Sequence, residues 1–99
     1  MRQIADDSYR LEARKQELEN QWVNLATTGV IAHYNAAVEL EFMSMWRESL
    51  LEYERSAQLS TLAMKENNPM AVKIKQAIVK MRIKVRNNVQ LPDKHVLDG

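Results

Sequence analysis

The stretch 71–86 reads AVKIKQAIVKMRIKVR and concentrates the cationic chemistry of the chain. Lys73, Lys75, Lys80, Arg82, Lys84 and Arg86 lie within it, with no acid among them. Such a run could hold an anion, a phosphate backbone above all. Two periodicities compete for it. As a strand, Lys80, Arg82, Lys84 and Arg86 share one face with Met81, Ile83 and Val85 on the other, and "RNNV" turns a hairpin. As a helix, Ile74, Ala77, Ile78, Met81 and Val85 form one face, while Val72, Val79 and Ile83 lie nearly opposite. The charges then divide into two rows, Lys75/Arg82/Arg86 and Lys73/Lys80/Lys84. The helix is favoured by its length, by the Asn68–Pro69 start signal and by the lack of another strand candidate, since a lone hairpin is marginal.

Other chemistry is sparse. His33 and His95 are the only histidines, and neither lies in an HExxH or ExxH arrangement. His33 could ligate a metal with Glu41 of another chain, but the ordinary reading is a partly buried helix histidine. Glu48 and Glu52 stand one turn apart on a solvated flank. Gly29 is isolated, so no phosphate-cradling loop exists, and the absence of cysteine removes thiolate chemistry and disulfides. No catalytic set, cofactor, metal or small-molecule substrate is expected, and the chain reads as a non-enzyme. Met43, Met45, Met64, Met70 and Met81, with Trp46 beside Arg47, suit adaptable contact surfaces, although core filling accounts for most of the methionines.

The elements that would carry these residues are helices. Gly29, Gly99, Pro69 and Pro92 are the only glycines and prolines, too few turn formers for an all-β chain. The first helix, about 3–27, has Ile4, Leu11, Leu18 and Leu25 at intervals of seven with Trp22 beside them, one side of a coiled-coil seam whose partner positions Ser8 and Lys15 are polar. "ATTGV" predicts a kink or a tight turn, because Thr27, Thr28 and Gly29 are poor in helix interiors. The second helix, about 29–66, carries the stripe Ile31, Tyr34, Val38, Phe42, Met45, Trp46 and Tyr53, with Leu40, Met43, Leu51 and Leu62 on roughly the opposite side. Asn68 is a favoured N-cap and Pro69 a favoured first residue, so a third helix runs about 69–88, antiparallel to the second. Residues 89–99 read as an irregular tail in which Val89, Leu91, Val96 and Leu97 could dock on a neighbour. The helix–Asn68–Pro69–helix plan resembles helical hairpin subunits of secretion needles over the turn and the hydrophobic spacing after it, and no functional residue carries over from that likeness.

Charge is balanced overall at +1 but not along the chain. Residues 1–66 hold seven basic and eleven acidic side chains, whereas residues 67–99 hold seven and two. Antiparallel packing would set the acidic flanks of the second helix beside the basic flanks of the third, selecting orientation more than adding stability. No signal peptide and no membrane-length apolar run is visible, so a soluble chain, inside a cell or a particle, is expected.

The expected architecture is therefore a single all-α, elongated domain of two long helices, or one kinked long helix, with a shorter basic third helix. Apolar faces on two sides of helices two and three exceed what three helices can cover. The expected function is that of a structural or interaction subunit that self-associates or joins a larger multi-protein assembly, viral or cellular, with Phe42, Met43, Met45, Trp46, Leu50 and Tyr53 at the partner interface. The alternatives are a nucleic-acid-binding module using Lys73, Lys75, Lys80, Arg82, Lys84 and Arg86, and a small monomeric adaptor or inhibitor of one larger protein.

Overall fold

A computed structural model describes the backbone of residues 2–98 and the side chains of residues 7–88. Three helices make the all-α, elongated fold, with overall extents of 84 × 20 × 19 Å. They are α1 (Arg2–Phe42), α2 (Trp46–Ala63) and α3 (Pro69–Asp98).

The first break comes later than the residue types suggest. α1 passes through Thr27–Gly29 without a turn. Thr27 Oγ1 donates to the Val23 carbonyl at 2.8 Å and Thr28 Oγ1 to the Asn24 carbonyl at 3.0 Å, so both hydroxyls are satisfied inside the helix. Gly29 keeps a negative φ and serves close approach instead: a Cβ there would lie 2.5 Å from Leu59 Cδ1 of α2. The turn falls at Met43–Met45, which divides the expected helix 29–66 in two. Ser44 takes a left-handed φ of 60°, its N–H donates to the Glu41 carbonyl at 3.0 Å, and the Met45 N–H donates to the Leu40 carbonyl at 2.9 Å. That pair of bonds is a Schellman C-cap, a motif that usually places glycine where Ser44 stands.

The second turn matches expectation at its far side. α2 stops at Ala63, short of Glu66, and Met64 is extended. Asn68 Oδ1 then accepts the Met70 N–H at 2.9 Å, capping α3 one residue before Pro69. The boundary expected near Asn88, with an irregular tail over 89–99, is not where α3 ends; its bounds reach Asp98. Neither Asn87 nor Asn88 adopts the left-handed conformation that would terminate a helix there. Docking by Val89, Leu91, Val96 and Leu97, like the seam position Ile4, lies outside the described side chains.

Helix directions follow from the cross-contacts. Ser49 Oγ donates to the Ala37 carbonyl and Ser56 Oγ to the Val30 carbonyl, both at 2.8 Å, so α2 descends as α1 rises. Lys73 sits over Tyr34 and Lys80 pairs with Glu41, so α3 runs parallel to α1 and antiparallel to α2. The α1–α2 contact brings small residues together, Ala37 with Ser49 and Val30 with Ser56, and places Gly29 against Leu59. Buried hydroxyls are tolerated because each bonds a backbone carbonyl. Tyr53, Ile74, Ile78 and Met81 complete the core.

This core occupies only one part of the rod. Residues 7–25 of α1 are exposed throughout, and packing begins at Ala26. The first part of α1 thus stands clear of the bundle, which starts where the end of α2 reaches it.

Candidate interaction surfaces

The basic residues of α3 separate by what they face. Lys73 Nζ lies 5.5 Å from the Tyr34 ring centroid, Lys80 Nζ is 2.9 Å from Glu41 Oε2, and Lys84 Nζ lies 5.1 Å from the Trp46 ring centroid. These three form the row that faces α1 and the first turn, and each meets an acid or an aromatic face there. Lys75 reaches Glu66 at 3.2 Å across the second turn. Arg82 and Arg86 are exposed on the outer side. The six cations expected as one phosphate-binding surface are thus divided, with four of them engaged within the chain.

The first row borders a groove of about 450 Å³ between α1 and α3, walled by Tyr34, Phe42, Trp46, Lys73, Lys80 and Lys84. Glu41 sits at its floor. Burial pushes the Glu41 carboxyl up, but hydrogen bonds from Lys80 and Tyr53 and the charges of Lys80 and Lys84 outweigh burial and hold it below the ordinary value. The Tyr53 hydroxyl donates to Glu41 Oε1 at 2.8 Å, and burial together with that acceptor raises its pKa well above the usual phenol value. Tyr34 meets Tyr53 edge-on with centroids 5.6 Å apart. This is a structural knot that joins all three helices.

On the other side of the bundle, His33 Nδ1 lies 2.5 Å from Glu52 Oε2, and Arg55 donates to Glu52 Oε1. The His33 hydrogen bond, then that of Arg55, depress the Glu52 carboxyl against the opposing effect of burial. His33 is tied to α2 of its own chain, and its carboxylate partner is Glu52. Among the described residues no group of three or more His, Cys, Asp or Glu side chains is placed to hold a metal. No helix among them is long and apolar enough to cross a membrane.

The six residues expected at a partner interface do not form one patch. Phe42 is 86% exposed, and Met43 and Met45 beside it are exposed at the first turn. Trp46 and Leu50 are half-buried against the core. Tyr53 is 2% exposed and belongs to the core. Leu51, from the second expected stripe, is exposed, and so is the outer α3 stripe Val72, Val79 and Ile83.

A second apolar region lies where α1 leaves the bundle. Trp22, Val23, Leu25 and Ala26 of α1 and Leu59 and Leu62 of α2 line a groove of about 400 Å³. Trp22 is 70% exposed and Leu62 69%. Leu11, Leu18 and Leu25 continue its α1 wall outward along the heptad spacing, all exposed. The heptad was legible in the residue types; the part played by Leu59 and Leu62 was not, because it depends on where α2 ends.

Compared with protein-family models, with curated proteins and with solved structures, the chain matches none.

Proposed function

We propose that this chain is a non-enzymatic structural subunit that self-associates, or packs into a larger multi-protein assembly, viral or cellular, through apolar helix faces its own fold leaves uncovered. The observation that carries this reading is the exposed apolar seam of α1, Leu11, Leu18, Trp22 and Leu25, ahead of a bundle that covers only the later part of the same helix.

Light scattering after size exclusion, at low and high salt, tests the reading. A subunit joined by apolar faces keeps a mass above one chain at both salts. A chain that is monomeric at both, and recovers no protein partner, is not such a subunit. Phe42→Asp asks whether the first-turn patch takes part, since Phe42 is exposed and its loss leaves the core intact.

A second reading, nucleic-acid binding, rests on the exposure of Arg82 and Arg86 on α3. Phosphate contacts make such binding fall steeply with salt. Absence of DNA or RNA binding at low salt removes it.

A further inference from the structure

We propose that the groove between α1 and α3 is the docking site for an acidic amphipathic helix of a partner protein. The groove lies apart from the α1 seam, so this inference goes beyond the assembly reading and stands whether or not the chain self-associates. Shape, charge and spacing carry it.

α1 and α3 run parallel, and each packs chiefly on α2 instead of on the other. The surface between them is therefore a trough. It runs from Tyr34 and Lys73 at one end to Phe42 and Lys84 at the other, about two to three helical turns, and α2 adds Trp46 and Tyr53 to its lining. A fourth helix laid along such a trough completes a bundle, and a helix in a groove is a recurring mode of recognition between proteins. The apolar face of that helix meets Tyr34, Trp46 and Phe42, of which Phe42 is 86% exposed. Aromatic side chains are the usual anchors of such contacts.

Charge names the chemistry of the partner. The lining holds three lysines and one carboxylate, Glu41, which Lys80 and Tyr53 already engage. Lys73 and Lys84 differ from Lys80. Each lies over an aromatic ring, and neither forms an ion pair among the described residues. A ring face attracts an ammonium without using up its three N–H donors, so both cations remain able to receive a carboxylate. The complement of this surface is a helix with acids beside its apolar stripe.

Spacing fixes where those acids stand. Lys73 and Lys84 are eleven residues apart, about three turns and about 16 Å along one side of α3. A helix alongside has the same rise, so acids at positions i and i+11 meet both lysines while the apolar residues between them face the groove. A nucleic-acid strand matches these features less well. Lys73 and Lys84 cover a face of the Tyr34 and Trp46 rings on which bases would stack, and the Glu41 carboxylate opposes a phosphate.

Selection from a phage-displayed library of helical peptides tests the proposal, with the double variant Lys73→Glu, Lys84→Glu as counter-target. Both lysines are exposed, and circular dichroism checks that the variant keeps its helices and its unfolding midpoint. Peptides that bind the wild type and not the variant should carry Asp or Glu eleven residues apart beside an apolar stripe. One such peptide, titrated into Trp22→Phe so that Trp46 alone reports, should shift the emission. It should bind about tenfold more weakly when Lys73→Glu or Lys84→Glu is added. Phe42→Ala, which leaves both lysines in place, should weaken it as well. The proposal is overturned if no peptide is recovered, if the recovered peptides show no acidic excess, if the double variant recovers the same peptides, or if binding leaves Trp46 emission unchanged. An oligo(dT) strand that binds the wild type and not the double variant, where no peptide does, assigns the groove to nucleic acid and overturns it too. So does a wild-type oligomer that the double variant dissociates, since the occupant is then a second copy. A monomeric wild type that binds the acidic peptide as stated overturns self-association and upholds this inference.

Discussion

α1 is one helix with two environments. From Ala26 to Glu41 one face of it is packed, chiefly against α2; from residue 7 to residue 25 every side chain is exposed. The two parts do not differ as their residue types suggest. The exposed part carries large apolar residues, Leu11, Leu18, Trp22 and Leu25, while the packed part buries Ala26, Val30 and Ala37 beside the half-buried Tyr34 and Val38. Apolar spacing thus marks a face that can make a contact, and small residues mark where the contact is made at short range. Size of the side chain is a poor guide to burial within this chain.

The largest test of this contrast is truncation on each side. Ile74→Ala removes a fully buried core side chain and costs about 3 kcal/mol of bundle stability. Leu11→Ala, on the exposed part, leaves the unfolding of the isolated chain within about 0.5 kcal/mol of wild type. Denaturant unfolding at a concentration where the protein is monomeric measures both. A comparable loss from Leu11→Ala would mean that the seam packs within the chain after all.

Next in size is the boundary between the two regions. Gly29→Leu sets a side chain against the Leu59 Cδ1 methyl, the movable end of its side chain, and that displacement offsets the gain of about 1 kcal/mol in helix propensity. Stabilisation by this variant would show that Gly29 is a weak helix residue and not a contact point. At the packed end, Ser44→Gly relieves a left-handed serine and stabilises by about 0.5–1 kcal/mol, read as a rise in the midpoint of thermal unfolding.

The smallest effect is acid dependence, carried by two carboxyls of the bundle. The carboxyls of Glu41 and Glu52 lie below their ordinary value of 4.5 in the folded chain. Their contribution is therefore complete above the unfolded pKa and is lost as pH falls through the folded pKa. Stability should decline below about pH 5, and Glu41→Gln should flatten that decline. Lys80 is well exposed, so the change is modest. A pH-independent melting temperature between about 3 and 5 would deny these pairs a role.

How far these features were legible follows the same contrast. The all-α class, the Asn68–Pro69 start of α3 and its core face Ile74, Ile78 and Met81 are local properties of spacing and capping, and they read directly. The turn at Ser44 did not, because a serine in the left-handed region is imposed by the packing on either side of it. Gly29 reads as a breaker until Leu59 is placed over it. Ser49, Ser56 and Ser60 are polar by type and buried by position, so a hydrophobic stripe overlooks them. Tyr53 fits an exposed aromatic as readily as a core one until Glu41 is found beside its hydroxyl. The division of the basic residues followed from helical phase, but which row met Tyr34, Glu41 and Trp46 required the parallel course of α1 and α3.

Each region of the rod also carries its own tryptophan. Trp22 stands in the open seam groove, and Trp46 lies half-buried beneath Lys84 at the opposite end of the bundle. The chain therefore contains two intrinsic fluorophores in unlike surroundings, one bathed in solvent and one shielded by protein. Emission and quencher access can follow coverage of the seam and loosening of the bundle as separate signals, with Trp22→Phe and Trp46→Phe assigning each to its source.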